Sequence, residues 1–222
     1  MRMTNFFIFI LLILCFFLMM SENFAFSREV KGKMSLDEKV EKFLKSHKDQ
    51  WVDWNVSESD GRFLYHLIIK NRYTNALEIG TSTGRSAIWI AWALSKTGGQ
   101  LTTIEIDEGR YRQALKNFQE AGLSDYIDAR LADAHILVKE LKGPYDFIFS
   151  DADKDWYKNY FMDLAPKLRI GGCFTAHNAS ATYDRGIRDY LDYVRRLKNF
   201  ETTIARPSGA GISVSYKKFE NE

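Results

Sequence analysis

Two periodicities alternate along this chain. Between positions 75 and 177, short apolar runs that end in charged or small polar residues take turns with segments whose apolar positions recur every three or four residues. The first kind reads as buried parallel strand and the second as amphipathic helix. Two helices come before this region. Leu36, Val40, Phe43, Leu44, His47 and Trp51 fall at helical spacing, and His47 on that stripe reads as a packed core histidine. Phe63, Leu64, Leu67 and Ile68 mark the second helix, with Ser57, Ser59 or Asp60 as cap candidates. Strands are then predicted over Ala76–Ile79, Leu101–Ile106, Ala129–Ala132, Phe147–Ser150 and Cys173–Ala176. Helices are predicted over Ser86–Leu94, Glu108–Glu120, a segment running through Leu141, and Asn159–Leu168. Ile187, Tyr190, Leu191, Val194 and Leu197 mark the last helix, and RPSGAG joins two closing strands, Thr202–Ala205 and Ile212–Tyr216, as an antiparallel hairpin. The pattern implies an α/β fold: a mostly parallel seven-stranded sheet with helices on both faces and a C-terminal antiparallel hairpin.

The N-terminus breaks the pattern. Phe6 to Met20 is uninterruptedly apolar, Arg2 precedes it, and Ala25-Phe26-Ser27 follows as a small-x-small site. Residues 1–27 thus read as a signal peptide or a short membrane anchor, since a full span takes about 20 apolar residues. The expectation is export or membrane association through this leader alone. A cytoplasmic body follows instead if the anchor leaves it facing inward or if translation starts at Met34. Residues 28–222 read as one domain, with N-terminal helices over 35–71 and a sheet core over 76–217. A net charge of +2 over 222 residues gives no field that argues for nucleic acid. Cys15 and Cys173 are the only cysteines, so the body has no internal disulfide.

Chemistry is concentrated at the strand ends. YDFIFSDADKDWY runs from apolar residues straight into Asp151, Asp153, Lys154 and Asp155, and GGCFTAHN ends on His177 and Asn178. Ligands of open α/β sheets bind beyond the carboxyl ends of the strands, so Asp151 and Lys154 are expected where chemistry happens, and Asp151, His177 and Asn178 are expected to face one metal or polar ligand. The loop Glu78-Ile-Gly80-Thr-Ser-Thr-Gly84 lets backbone approach a ligand, and Glu105 ends the next strand, where an acid commonly holds ribose hydroxyls. The loop lacks the three-glycine spacing of a dinucleotide site, which counts against a nicotinamide-dependent oxidoreductase. Asp133 reads equally as a helix N-cap. Asp155 is a cap candidate. Trp156 covers a ligand or simply packs.

LEIGTSTGRS, TIEID, ADAH, DFIFSDADKDWYKNY and GGCFTAHN, in that order, resemble the class I S-adenosylmethionine-dependent O-methyltransferases, in the branch of catechol and caffeoyl-CoA O-methyltransferases and their small bacterial relatives. The resemblance runs from about Val56 to Lys217 and implies a Rossmann-like fold and methyl transfer to a hydroxyl of a small molecule. It implies that Glu78, Gly80, Thr81, Ser86, Glu105, Asp133, Ala134 and Asp151 surround S-adenosyl-L-methionine. Gly80 and its neighbours would line the methionine part, Glu105 would hold the ribose and Asp133 would meet the adenine amino group. It also implies a divalent metal on Asp151, His177 and Asn178, with Lys154 and His177 as catalytic groups. Relatives of this kind are often homodimers.

His177 departs from the family pattern, which has aspartate there. Imidazole removes a negative charge and suits transition metals better than magnesium. The open outcomes are a manganese, iron or zinc site, a magnesium site, a metal-independent site with His177 as base, and a cofactor-binding site without turnover. The connection from Asn178 to the last helix is also short, which puts a catechol or caffeoyl acceptor in doubt.

Overall fold

The computed structural model describes residues 34–51 and 54–220. The apolar leader lies outside the described residues. No helix among those described is long and apolar enough to cross a membrane. The chain divides into Met1–Glu38 and a compact unit Lys39–Glu222. Within the first, the Ser35 N–H donates to Glu38 Oε2 at 2.8 Å and the Glu38 N–H to Ser35 Oγ at 3.2 Å, the reciprocal pairing of a capping box.

Helices α1 (Leu36–Ser46) and α2 (Glu58–Asn71) precede an alternating series. That series is β1 (Asn75–Ile79), α3 (Arg85–Thr97), β2 (Gln100–Glu105), α4 (Glu108–Ala121), β3 (Ile127–Leu131), α5 (Ala134–Glu140), β4 (Tyr145–Ser150), α6 (Tyr157–Leu164) and β5 (Leu168–His177). Helix α7 (Arg185–Arg195) and strands β6 (Phe200–Ala205) and β7 (Ile212–Lys217) close the chain. Side chains set the helix starts: Ser57, Asp107, Asp133 and Asp184 each accept a backbone N–H of the first turn.

The sheet order is β3-β2-β1-β4-β5-β7-β6, parallel throughout except for β7, which runs against both neighbours. The order reverses between β1 and β4. Helices therefore cover both faces. Leu77, Ile79, Ile148, Phe174 and Ala176 pack with buried residues of α5, α6 and α7, among them Val138, Phe161, Tyr190 and Val194. Side chains alternate along a strand, so Glu78, Phe149, Thr175 and His177 project from the other face. There α3 is buried on all sides from Ser86 to Leu94, as expected of a helix held between a sheet and another helix. Trp89 and Trp92 occupy that second contact, with Tyr65 of α2 4.9 Å from Trp92, ring centre to ring centre. Gly61 of α2 lies so close to Trp89 that a Cβ would stand 2.2 Å from the indole.

Three elements differ from the sequence reading by four or more residues at one end. Helix α1 stops at Ser46, and His47 is half-buried beyond its end, stacked on Phe43 with 4.1 Å between ring centres. Helix α6 stops at Leu164 rather than Leu168, because Pro166 cannot continue the hydrogen-bond ladder and a 3₁₀ turn follows over Ala165–Lys167. Strand β5 then starts at Leu168 rather than Cys173. Its register with β4 shifts between Tyr145 and Phe147, and Arg169, Ile170 and Gly171 are exposed. An irregular, exposed first half removes the apolar run that would have marked the strand.

Candidate active site

The strand order reverses between β1 and β4, and the carboxyl side of such a reversal is the usual ligand position in these sheets. A cavity of about 920 Å³ lies there, and its walls include Gly80, Glu105, Asp133, Ala134, Asp151, Lys154, His177 and Asn178. Gly80 has φ +93°, and a Cβ on it would stand 2.7 Å from the Asp151 carbonyl oxygen. Glycine is required there twice over, by conformation and by the approach of the β4 end.

One wall is built from backbone held by carboxylates. Glu105 accepts the Ser82 N–H at 2.7 Å through Oε2, and the Ile106 and Asp107 N–H groups at 3.0 and 2.9 Å through Oε1. It thus ties the glycine loop to the end of β2. Asp133 caps α5 by accepting the His135 N–H at 2.9 Å and also faces the cavity, so its two anticipated roles are compatible. His135, Trp54 and Arg110 line the same region and were not singled out in the sequence; the Arg110 guanidinium lies 4.3 Å from the centre of the Trp54 ring. Trp156 stacks on His135, a lining residue, at 3.9 Å and is not itself among the lining residues. Asp153, not Asp155, accepts the backbone N–H that starts the next turn.

Glu78, Thr81 and Ser86 sit beneath the loop rather than on the cavity wall. Glu78 is fully buried, and the Thr103 hydroxyl donates to its Oε2 while lying 2.6 Å from the Thr81 hydroxyl. Burial pushes the Glu78 carboxyl up to about 8, against the downward pull of hydrogen bonds from Ser86 and Thr103.

The opposite wall is an ion-pair chain. Lys154 Nζ donates to Asp151 Oδ1 at 2.6 Å and to the Tyr157 hydroxyl oxygen at 2.8 Å. His177 Nδ1 lies 3.1 Å from Asp151 Oδ2, and its Nε2 lies 3.3 Å from Asp60 Oδ2. Asp60, on α2, is 1% exposed, and its Oδ2 also accepts from the Ser57 and Ser208 hydroxyls at 2.7 and 2.8 Å. Burial by itself would lower the His177 pKa, but hydrogen bonds to Asp151 and Asp60 outweigh it and raise the ring to about 9. Burial likewise works against the charged forms of Asp60 and Asp151, yet His177 and its neighbours hold both below the usual carboxylate range. Asn178 follows in the left-handed region, φ +58°, which asparagine tolerates better than most residues.

Asp60 is the member that sequence reasoning missed. It was noticed only as a cap candidate, whereas Ser57 is the cap. The available signal was its place one turn before Leu64, on the buried stripe continued by Leu67 and Ile68. A carboxylate on an apolar stripe needs a partner.

As folded, Asp151, His177 and Asn178 do not fit a divalent metal. Both ring nitrogens of His177 face carboxylates, and both oxygens of Asp151 face cationic nitrogens. Among the described residues, no group of three or more His, Cys, Asp or Glu side chains is arranged to hold a metal ion.

Comparison with known proteins agrees with this geometry. Residues 27–184 match the O-methyltransferase family. Caffeoyl-CoA O-methyltransferase 1 of Eucalyptus globulus is 35% identical over 159 residues, covering 67% of this chain and 64% of the relative. A catechol O-methyltransferase of Niastella koreensis is 40% identical over 128 residues, 56% of this chain and 58% of the relative. The chain thus spans less than two thirds of the length of these curated relatives. Among solved structures, the Bacillus cereus O-methyltransferase in complex with SAH superposes with a TM-score of 0.72 at 26% identity, covering 87% of this chain and 96% of that one. The Streptomyces achromogenes O-methyltransferase of tomaymycin synthesis, in complex with SAM, gives 0.72 at 25% identity over 84% and 92%. With the match running over most of its length, the chain belongs to the O-methyltransferase family.

Proposed function

We propose that this protein transfers a methyl group from S-adenosylmethionine to a hydroxyl of a small molecule. The observation that carries this reading is the single cavity at the β1/β4 crevice, which has Gly80, Glu105 and Asp133 on one wall and Asp151, Lys154, His177 and Asn178 on the other. The first wall suits a nucleoside: Glu105 offers carboxylate oxygens to ribose hydroxyls, and Asp133 stands where an exocyclic amine can donate. Gly80 lets the ends of β1 and β4 meet directly, so the reacting end of the donor can lie against the Asp151 segment.

The donor supplies a methyl group on positively charged sulfur, already electrophilic. What the protein must add is position and a proton acceptor for the incoming hydroxyl. The acceptor oxygen forms its bond to the methyl carbon while the carbon–sulfur bond breaks, its electron pair passing to sulfur. Lys154 Nζ, anchored by Asp151 and Tyr157 at the cavity wall, relays the hydroxyl proton to the Asp151 carboxylate, giving up one of its own hydrogens as it takes the new one. His177 fixes Asp151 from the side opposite Lys154. No step is assigned to the divalent metal that the resemblance implied.

Calorimetric titration with S-adenosylhomocysteine tests the donor half, with one site per chain expected. Correctly folded protein that does not bind it overturns the reading, and binding of NADH in its place favours an oxidoreductase. Binding followed by no transfer to a panel of catechols and other phenols overturns the catalytic half alone.

A further inference from the structure

His177 is held in a way that methyl transfer alone does not require. Its ring lies between two carboxylates from distant parts of the chain, Asp60 of α2 and Asp151 after β4. A neutral imidazole has one donor nitrogen and one acceptor nitrogen, so both contacts can be hydrogen bonds only if both nitrogens carry hydrogen. Asp60 is committed to this arrangement. Its Oδ2 gathers Ser57, Ser208 and His177, while its buried Oδ1 has no hydrogen-bond partner among the described residues. Lys154 closes the other end on Asp151 Oδ1. Two carboxylates and two cations therefore alternate in the order Asp60, His177, Asp151, Lys154.

We infer that the His177 imidazole, clamped between Asp60 and Asp151, takes the place of a divalent cation at the acceptor wall, with Asp60 as the positioning residue that keeps it there. The inference rests on reading this cavity as a methyl-transfer site. A metal would need a lone pair on His177, and the clamp leaves none, because both ring nitrogens are turned to carboxylates and carry hydrogen. The positive charge that orients Asp151 is supplied by the chain itself. Ser208 belongs to the β6–β7 turn and Ser57 caps α2, so the clamp also joins the hairpin to the helix layer.

Mn²⁺ titration of the full chain, followed by electron paramagnetic resonance, tests this without reference to turnover. The wild-type protein is expected to leave the free Mn²⁺ signal unchanged, and His177→Asp to bind one Mn²⁺ per chain. One Mn²⁺ bound per wild-type chain and lost in Asp151→Asn overturns the inference, as does a His177→Asp protein that binds no better than wild type. Should His177→Asp fail to fold, Asp60→Asn, which frees His177 Nε2 at constant volume, is titrated with Zn²⁺. At least tenfold tighter binding than wild type is expected, and equal affinity overturns the inference. Asp60→Asn should also lower methyl transfer while S-adenosylhomocysteine affinity holds. Loss of S-adenosylhomocysteine binding by the wild-type protein would remove the methyl-transfer reading and leave the Mn²⁺ result to judge the clamp.

Discussion

At the scale of single residues, burial decides which charges act and which are silent. Glu78 is the clearest silent one: it lies under the glycine loop with a carboxyl pushed up to about 8. In the unfolded chain it returns to its ordinary value near 4.5. Between those limits the folded protein keeps a proton that the unfolded chain has lost, so stability falls as pH rises. The contribution is complete below the unfolded value and gone once pH passes the folded one. A shift of this size corresponds to roughly 5 kcal/mol as a ceiling. Denaturant melts at pH 5 and pH 8 should show the wild type losing stability relative to Glu78→Gln, which has the same shape and does not titrate. Parallel behaviour of the two proteins would show that Glu78 is ionised in the folded state. The contrast between Glu78 and Asp151 also shows what sequence can convey. Both end strands of the same sheet, and both were read as cofactor neighbours. Which of them reaches the cavity depends on side-chain alternation, which sends Glu78 toward Ser86 of α3. Asp60 was less legible still, because its partner His177 lies 117 positions away and pairing at that distance leaves no local mark.

Among the elements, the strand–helix alternation was legible because the buried runs are short and their ends polar. What failed were the ends shaped by tertiary contact, as in β5, whose first half bulges away from β4. The same kind of contact makes α7 part of the site. Its first turn rests on the turn that carries Lys154, through Gly186: a Cβ there would stand 2.3 Å from the Lys154 carbonyl oxygen and 2.8 Å from Asp155 Cα. Helix α7 thus acts as a backstop for the lysine, although none of its own side chains lines the cavity. Gly186→Ala must push the two backbones apart, at a cost of about 1–3 kcal/mol for overpacking. The expected outcome is a lower melting temperature and slower methyl transfer, because Lys154 moves relative to Asp151. Affinity for S-adenosylhomocysteine should be nearly unchanged, since the nucleoside wall is built from other elements. A variant that lost affinity but kept its rate would show that α7 supports the donor rather than the acceptor wall.

For the molecule as a whole, strand order is what turns scattered residues into one site. In sequence, Glu78 to Glu105 and Asp151 to Asn178 are separate stretches; in the sheet, β1 and β4 are neighbours and the order reverses between them. The general rule for such sheets makes the convergence legible in the sequence, but it does not specify which helix supplies the carboxylate that holds His177. Among the described residues, those lining the cavity fall between Trp54 and Asn178, and the hairpin after α7 completes the sheet that carries them. The apolar leader lies outside the described residues. Protein started at Met34 is therefore expected to bind S-adenosylhomocysteine with an affinity within about threefold of the full chain, a difference below 1 kcal/mol. Its thermal shift on adding the ligand should match as well, because stabilisation by a ligand depends only on affinity and concentration when the binding site is intact. A shortened protein that folds but binds tenfold more weakly would place part of the donor site in the residues ahead of Met34.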